Sequence, residues 1–336
     1  MGALETHDLR KNYGRIEALR GVSLSVNQGE IYGLLGQNGA GKTTLIKILL
    51  GITRGWHGEA KLLGEPAGAA HVRKRVGYLP EDHRFPDYHT GYSLLDFYGQ
   101  LLGVPHAKRR SRIPEMLQTV GLRERMNTKI RGYSKGMKQR LGIAQALLHE
   151  PDVIFLDEPT DGVDPLGRRH IREILTHLKA KGCTIFLNSH LLGEVELICD
   201  RVGILQRGEM VREGNIAELT KQQGVIVLGL APGQTLPIAD LASLGYHAIA
   251  QGERWEVYLS ESQSIDPVID LLRARGLSIR HLIEKRQTLE ELFLETVGDD
   301  DADKRRPRRE PEKDARQAVT RKREDIRRGR REDEMR

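Results

Sequence analysis

The glycine-rich segment GQNGAGKT, at positions 36–43, constrains the fold of this chain more than any other feature of the sequence. It matches the pattern G-x-x-x-x-G-K-[ST], follows the apolar run IYGLL and precedes the helical stretch TTLIKILLG. Glycines let backbone N–H groups turn inward around a bound phosphate, and the start of the following helix favours negative charge. The strand, the loop and the helix together therefore predict a phosphate-binding loop at the edge of an α/β sheet.

The residues of this loop have expected roles toward a nucleoside triphosphate. Lys42 is expected to reach the β- and γ-phosphates and to stabilise their charge during the reaction. The hydroxyl of Thr43 is expected to bind Mg²⁺. The residues predicted to hold the nucleotide in this segment are Gly36, Gln37, Asn38, Gly39, Ala40, Gly41, Lys42, Thr43 and Thr44.

Two carboxylates end a second apolar run, VIFLDE, at positions 153–158. In α/β sheets ligands bind at the carboxyl ends of the strands, so this pair is expected to face the nucleotide. We expect Asp157 to hold Mg²⁺, directly or through water, and Glu158 to polarise the attacking water. An exposed acidic turn is the alternative, which the apolar run before the pair disfavours. These two motifs indicate a P-loop nucleotide hydrolase and leave GTPases, helicases and recombinases open.

The segment YSKGMKQR, at positions 133–140, decides among these classes. It resembles the signature sequence LSGGQ-(K/R)-QR of ATP-binding cassette (ABC) ATPases, and the other motifs of that family occur in the expected order. Tyr13 matches the aromatic residue that stacks on adenine, Glu81 lies at the Q-loop position, and His190 matches the switch histidine. The segment TDGVDP, at 160–165, resembles the D-loop. The resemblance extends from residue 1 to about residue 220.

The resemblance implies ATP and Mg²⁺ as ligands and a head-to-tail dimer with two ATP molecules at its interface. The second cassette would be another copy of this chain or a different protein. The phosphate loop of one subunit would face Ser134 and Gly136 of the other, and Asp164 of the D-loop joins the nucleotide-binding set. A helix that begins near Lys138 would add a favourable dipole. His190 would contact the γ-phosphate and help to position the water.

Two features depart from the family pattern. Lys135 and Met137 replace the usual glycine and glutamine of the signature, whereas Ser134 and Gly136 are intact. Glu81 stands where most relatives carry glutamine, so it adds negative charge near the γ-phosphate. We expect Glu81 to act as a ligand of Mg²⁺ or of the attacking water, because a carboxylate can do either. A regulatory module that binds ATP and hydrolyses it poorly is the alternative.

Patterns along the chain divide it into three predicted parts. Residues 1–220 are expected to form the α/β cassette, with a helical subdomain at about 91–148. Its parallel strands are expected at 29–36, 75–80, 152–157, 184–189 and 201–206. Residues 224–298 are expected to form a small α+β domain whose first six elements follow the split βαβ, ferredoxin-like plan. Residues 299–336 are predicted to be a disordered tail, because they are almost wholly charged and have few apolar anchors.

Composition and motifs together limit the partners and the cellular location that can be expected for this chain. No apolar run approaches the roughly 18–20 residues needed to cross a bilayer, and the N-terminus lacks the layout of a signal peptide. We therefore expect a cytoplasmic protein, peripheral on the inner face of the plasma membrane. YLPE together with YSKGMKQR resembles a subgroup of bacterial exporter ATPases, which implies a separately encoded integral membrane permease as a partner. The permease would determine the transported substrate.

A soluble ABC ATPase that acts on ribosomes or DNA is the rival interpretation. Such proteins usually carry two cassettes in one chain or a long coiled-coil insertion, and this sequence shows neither. Nucleic acid is therefore not the expected partner. The basic clusters RRPRR, RKR and RRGRR of the tail suggest a weak contact with anionic lipid, against the simpler interpretation of a mixed-charge tail without a dedicated partner.

Overall fold

Three β-sheets and eleven α-helices make up the part of the chain that the structure describes. This computed structural model describes residues 2–220, 224–260, 263–285 and 287–304, and it gives residues 298–304 by their backbone alone. The strands are β1 (Gly2–Tyr13), β2 (Ile16–Asn27), β3 (Ile31–Leu35), β4 (His57–Leu62), β5 (Glu65–Pro66), β6 (Val76–Leu79), β7 (Val153–Asp157), β8 (Thr184–Asn188), β9 (Arg201–Gln206), β10 (Glu209–Asn215), β11 (Val225–Leu230), β12 (His247–Gln251), β13 (Arg254–Tyr258) and β14 (Ile279–Lys285). The helices are α1 (Lys42–Leu49), α2 (Ala70–Arg73), α3 (Gly91–Leu101), α4 (His106–Thr119), α5 (Lys135–Leu147), α6 (Pro165–Ala180), α7 (Leu192–Ile198), α8 (Ile216–Leu219), α9 (Ile238–Ser243), α10 (Asp266–Ala274) and α11 (Leu289–Lys304).

The five parallel strands predicted from apolar runs form the central sheet, together with one antiparallel edge strand. The strand order is β10-β9-β3-β8-β7-β6. Every residue of β3, β7 and β8 is buried, as expected of strands that are covered on both faces. The ring centroid of Phe186 lies 5.6 Å from that of Tyr32 and 5.3 Å from that of Phe155, which packs these three strands against one another. The prediction of five parallel strands is confirmed.

A second, antiparallel sheet of order β2-β1-β4-β5 goes beyond the strands that were predicted from the sequence. Register shifts interrupt the pairing of β1 with β2, including one between Thr6 and Leu9. Such bulges break the two-residue alternation by which a strand is recognised. The sheet matters for the site because the Arg20 N–H donates to the Gly208 carbonyl, at 2.8 Å, and so holds β2 beside the hairpin of β9 and β10.

Residues 91–148 contain helices α3, α4 and α5, with short 3₁₀ turns between the last two. Helix α5 begins at Lys135, because Ser134 caps it: the Ser134 hydroxyl oxygen accepts a hydrogen bond from the Met137 N–H at 3.2 Å. The expectation of a helix that begins near Lys138 is therefore wrong by about one turn. The whole first turn of α5 belongs to the signature segment.

A third sheet lies within residues 224–285, and every neighbouring pair of its strands is antiparallel. Its order is β12-β13-β11-β14, and the elements from β11 to β14 succeed one another as β-α-β-β-α-β. Helices α9 and α10 contribute Leu241 and Val268 to a core that also includes Leu228 and Val257. The succession of elements is that of the split βαβ plan.

The last described helix, α11, passes the point at which the sequence predicts a disordered tail. Contacts divide the chain into one compact unit, Met1–Thr296, and a second, Val297–Arg336. Helix α11 extends to Lys304, because the buried anchors Leu289 and Leu292 nucleate it and the charged residues then only have to extend it. Residues 305–336 lie outside the described residues, so disorder and lipid contact there stay predictions.

Within the described ranges, no helix combines the length and the apolar character that crossing a bilayer requires.

Candidate functional site

The ends of four parallel strands bring the predicted motifs to one edge of the central sheet. The phosphate loop follows β3, His190 follows β8, Glu158 follows β7, and Glu81 follows β6. Because these strands are neighbours in that order, the four segments lie side by side. They border one cleft of about 720 Å³, which also contains Ile16 and Ala18 of β2. The predicted site residues that line the cleft are Gly36, Gln37, Asn38, Gly39, Ala40, Gly41, Lys42, Thr43, Thr44, Glu81, Glu158 and His190.

The phosphate loop requires glycine where it passes closest to the antiparallel sheet. Gly41 has a φ of 111°, and a Cβ at this position would lie 2.5 Å from the Ala18 carbonyl oxygen. Helix α1 starts directly after Gly41, so the N–H groups of its first turn have no partners within the helix. These N–H groups and the helix dipole make the loop suitable for a phosphate.

Lys42 is a buried cation among three carboxylates. Its side chain nitrogen donates hydrogen bonds to two carbonyl oxygens of the phosphate loop, at 2.6 and 3.1 Å. Burial lowers the pKa of Lys42, whereas the charges of Glu158, Asp157 and Glu81 act in the opposite direction. The carboxylates around Lys42 therefore outnumber it, although the loop itself is built to receive an anion.

Asp157 and Asn188 form a buried polar pair at the ends of β7 and β8. Asp157 is 1% exposed, and the Asn188 side chain N–H donates a hydrogen bond to its Oδ1. Burial raises the pKa of Asp157; the hydrogen bond from Asn188 opposes this rise and the charge of Glu158 adds to it. The side chain oxygen of Asn188, Oδ1, is buried and has no hydrogen-bond partner within the described residues. A buried acceptor of this kind calls for a ligand or a water.

This set of oxygen atoms fits a hard cation such as Mg²⁺. Mg²⁺ keeps several waters and is usually held by one or two carboxylates together with substrate phosphates. Asp157 and Glu81 offer carboxylates, Thr43 offers a hydroxyl, and a metal-bound water would satisfy Asn188 Oδ1. Across the described ranges, no three or more His, Cys, Asp or Glu side chains gather into a metal cluster. A divalent cation here would therefore draw further ligands from water and nucleotide phosphates.

Glu158 is held in a backbone conformation that glutamate rarely adopts. Its φ is 53°, in the left-handed region, which costs about 1–3 kcal/mol and persists only where the surroundings fix it. Its N–H donates to the Asn188 carbonyl at 2.9 Å, and its carbonyl accepts from Gln139 Nε2 at 3.1 Å and from the Asp161 N–H at 3.2 Å. Its Oε2 lies 2.8 Å from His190 Nδ1. A carboxylate that is almost fully buried is thus aimed at a histidine on the cleft wall.

Three predicted nucleotide-binding residues do not line the cleft of their own chain. Ser134 caps α5, and Asp164 caps α6 by accepting a hydrogen bond from the Gly167 N–H at 2.7 Å. Gly136 packs beside Val163, where a Cβ would lie 3.1 Å from its Cγ1. The structure therefore brings the signature segment against the D-loop rather than against the phosphate loop of the same chain.

Tyr13 also lies outside the residues that line the cleft. It is the last residue of β1, it is half-exposed, and Lys11 Nζ lies 4.8 Å from its ring centroid. Its partner in the β1–β2 pairing, Ile16, does line the cleft. The segment is therefore next to the site, and the stacking of Tyr13 on adenine stays a prediction.

The unusual lysine of the signature contacts the segment that follows Glu158. Lys135 Nζ lies 2.8 Å from Asp161 Oδ2, and this hydrogen bond lowers the pKa of Asp161. Asp161 lines the cleft. The first residue of α5 is therefore paired with a carboxylate of the site in the same chain.

Several residues of the site were missed by sequence reasoning. Asn188 and Gln139 lie inside predicted segments, but their roles depend on contacts with Asp157 and Glu158 that only the sheet order reveals. Phe293 lines the cleft from the distant helix α11, and no local pattern marks it.

Known proteins with similar sequences and structures identify the family. The family model described as ABC transporter matches residues 19–161. An uncharacterized ABC transporter ATP-binding protein of Nostoc sp. is 45% identical over 304 residues, which cover 87% of this chain and 89% of that protein. The Nod factor export ATP-binding protein I of Ralstonia nicotianae is 37% identical, with 88% of this chain and 94% of that protein covered.

A solved structure shows the same cassette. The structure of cbiO1 from Clostridium perfringens, described as part of the ABC transporter complex cbiONQ, is 29% identical and has a TM-score of 0.61. It covers 65% of this chain and 90% of its own. With a phosphate loop, a paired Asp157 and Glu158, and His190 gathered at one sheet edge, and with relatives that match over most of their length, the chain belongs to the ABC transporter family, among its ATP-binding proteins.

Proposed function

We propose that this chain binds ATP with Mg²⁺ in the cleft and hydrolyses it, as one of two cassettes that power export through a separate membrane permease. The observation that carries the hydrolytic part is the 2.8 Å contact between Glu158 and His190, beside a cleft that holds Lys42. Binding of a nucleotide alone does not require a carboxylate beside a histidine at the cleft, whereas activation of a water calls for a carboxylate or another base within hydrogen-bond reach.

The phosphate loop holds the triphosphate in this proposal. Lys42 exchanges its two carbonyl contacts for contacts to the β- and γ-phosphates. Thr43, Asp157 and Glu81 would hold Mg²⁺, which would supply positive charge against the phosphates. Because the carboxylates near Lys42 outnumber it, a triphosphate without a cation would meet net repulsion there. Productive binding is therefore expected to require the metal.

Glu158 orients the attacking water by accepting one of its hydrogen bonds, and the water approaches the γ-phosphate in line. The backbone hydrogen bonds of Glu158 hold this carboxylate in place before the nucleotide arrives. His190 exchanges its contact with Glu158 for a contact with the γ-phosphate. That exchange leaves Glu158 Oε2 available to the water.

The position of the signature segment supports a dimer. Ser134 and Gly136 lie outside the cleft of their own chain, so they can complete a nucleotide site only in a second cassette. The first turn of α5 would present N–H groups to that nucleotide. Asp164 would join the interface from the D-loop. A head-to-tail arrangement of two copies gives each nucleotide both sets of residues.

A series of aromatic contacts joins the segment after Glu81 to the surface of α3. Ring centroids are 5.1 Å apart for His83 and Phe85, 6.4 Å for Phe85 and Tyr98, and 5.6 Å for Tyr98 and Phe97. Phe97 is 46% exposed. A partner that contacts Phe97 would therefore press on side chains that lead back to the nucleotide cleft.

This exposed surface is the proposed docking site for the permease. Its large apolar side chains are Tyr88, Phe97, Leu101 and Leu102. An apolar patch of this kind fits a cytoplasmic helix of a membrane protein better than it fits water. The relatives that match over most of their length include a Nod factor export ATP-binding protein, which supports a role in export. Docking would place the chain on the cytoplasmic face of the plasma membrane.

Replacement of Glu158 tests hydrolysis. We expect Glu158→Gln to lower Mg²⁺-dependent ATP turnover by a factor of about 100 or more while ATP binding persists, because the amide cannot act as a base. In the parent chain, turnover should rise more steeply than linearly with protein concentration if two cassettes share the nucleotide. Glu115→Gln, at an exposed site on α4, is the matched control. A parent rate near zero, even with membranes that contain the permease, would favour the regulatory alternative.

Replacement of Glu81 tests its role as a ligand. We expect Glu81→Gln to raise the Mg²⁺ concentration at half-maximal turnover by about tenfold, because one carboxylate ligand is lost. Titration of ATPase activity with Mg²⁺ measures this shift. Asp82→Asn removes the neighbouring exposed carboxylate and should leave the titration unchanged. Identical titrations for Glu81→Gln and the parent would remove Glu81 from the metal site.

Replacement of Asp157 tests whether burial of its carboxylate lowers the stability of the folded chain. Since burial raises the pKa of Asp157 from its usual value, folding disfavours the ionised form relative to the unfolded chain, and stability from this site is lost as pH rises through the raised pKa. We expect Asp157→Asn to raise the melting temperature of the ligand-free protein at pH 7 by about 2 °C. The gain should shrink as pH falls toward 4, whereas stabilisation by Mg²⁺ and ATP should be lost in the variant. Thermal unfolding at several pH values would reveal a pH-independent difference if this assignment were wrong.

Replacement of Phe97 tests the docking surface. We expect Phe97→Glu to reduce the amount of the chain bound to membranes that contain the candidate permease by about tenfold, since a buried charge costs several kcal/mol. ATP turnover of the purified chain should stay unchanged. Leu244→Glu introduces the same charge at an exposed leucine of the C-terminal domain and serves as the control. Equal membrane binding of both variants would contradict the docking site.

A further inference from the structure

Helix α11 contributes to the cleft although it lies about one hundred residues beyond the last motif. Phe293, in its second turn, lines the cleft together with His190 and Leu192. Phe293 is half-buried, whereas its neighbour Leu294 is 60% exposed. The helix therefore turns the aromatic side chain of Phe293 toward the cleft and the side chain of Leu294 toward solvent.

The start of α11 is fixed by reciprocal capping. The Glu291 N–H donates to Thr288 Oγ1 at 3.1 Å, and the Thr288 N–H donates to Glu291 Oε2 at 3.0 Å. Leu289 and Leu292 are fully buried. Because the first turn is capped and anchored on its apolar side, the direction of Phe293 is determined by the fold rather than by a free loop.

Helix α11 is also joined to α7. The Leu289 N–H donates a hydrogen bond to Glu196 Oε2 at 3.0 Å. A carboxylate at the start of a helix is favoured by the helix dipole. Glu196 lies in α7, which begins at Leu192, two residues after His190. The segment from His190 to Glu196 thus carries the switch histidine, a cleft residue and the attachment of α11.

We propose that Phe293 is a positioning residue of the nucleotide site, held against the switch segment by the Glu196 contact with α11. Phe293 supplies the apolar wall of the cleft on the side of Leu192, and this wall limits how far His190 can turn away from Glu158 into solvent. Helix α11, which follows the C-terminal domain in the chain, is thereby linked to the segment that carries His190. This inference rests on the proposed function, in which the cleft binds ATP.

The exposure of His190 shows why an apolar wall beside it is needed. Its side chain is 50% exposed, whereas that of Glu158, its partner at 2.8 Å, is 7% exposed. An exposed imidazole can adopt several staggered rotamers, and each additional rotamer lowers the population of the one that contacts Glu158 or phosphate. A neighbouring apolar surface reduces that freedom. Loss of the surface should slow the reaction more than it weakens nucleotide binding.

A tryptophan probe tests the placement of Phe293. The chain contains two tryptophans, Trp56 and Trp255, so Phe293→Trp is compared with the parent and with Leu294→Trp on the next position of α11. Addition of Mg²⁺ and ATP should shift the added emission of Phe293→Trp and leave that of Leu294→Trp unchanged. Lys42→Ala in the Phe293→Trp background should abolish the shift. No shift at 293, or equal shifts at both positions, would overturn the proposal.

Kinetics test the positioning role. Phe293→Ala should lower kcat about threefold to tenfold with KM for ATP changed by less than twofold, and Phe293→Leu should restore most of kcat by restoring apolar surface. Glu196→Ala should act in the same direction, because it removes the contact with Leu289. Glu290→Ala, an exposed carboxylate of the same first turn, is its control. An unchanged kcat in Phe293→Ala, or a loss confined to KM, would overturn the positioning role.

The nucleotide site and the role of Phe293 can be tested separately. If the parent chain binds Mg²⁺ and ATP and Lys42→Ala does not, the proposed site stands, and the Phe293 variants then decide the inference alone. If the parent fails to bind ATP in equilibrium dialysis, the proposed function itself falls, whatever the emission of Phe293→Trp shows.

Discussion

The site depends on how strand β8 is held between β3 and β7. Asn188, its last residue, is paired with Leu34 on one side and with Asp157 on the other. Its carbonyl oxygen accepts the Glu158 N–H, which fixes the left-handed turn after β7. Phe186 packs below it between two further rings, so the strands have little freedom to shift. The positions of Asp157 and Glu158 are therefore determined by the core of the sheet rather than by the surrounding loops.

The departures from the family pattern change the charge of the cleft in opposite directions. Glu81 adds a carboxylate to a cleft that already contains Glu158, whereas Lys135 pairs with Asp161, which lines the same cleft. The ion pair is about half-exposed, so it contributes at most about 1 kcal/mol to stability. Its effect is on charge rather than on folding. The extra carboxylate of this chain is thus offset by the unusual lysine of its own signature.

Sequence patterns predict those parts of the chain that follow a simple period or a fixed motif. The runs VIFLD and TIFLN indicate β7 and β8 because buried parallel strands are continuously apolar. Bulges in β1 remove the alternation that would have indicated the antiparallel sheet. The start of α5 was misplaced because Ser134 reads as a phosphate ligand in the signature and acts as a cap in the fold. Asn188 and Phe293 reach the site through tertiary packing, which no local pattern records.

The left-handed backbone at Glu158 has a consequence for how this sequence can evolve. A glycine or an asparagine would occupy that conformation with less strain, so folding alone favours residues that lack the carboxylate. Stability and the proposed hydrolytic role therefore make opposite demands on a single position. In a gene copy that is retained only for the abundance of its protein, folding would favour substitutions at this codon that remove the carboxylate and, with it, the proposed hydrolytic role.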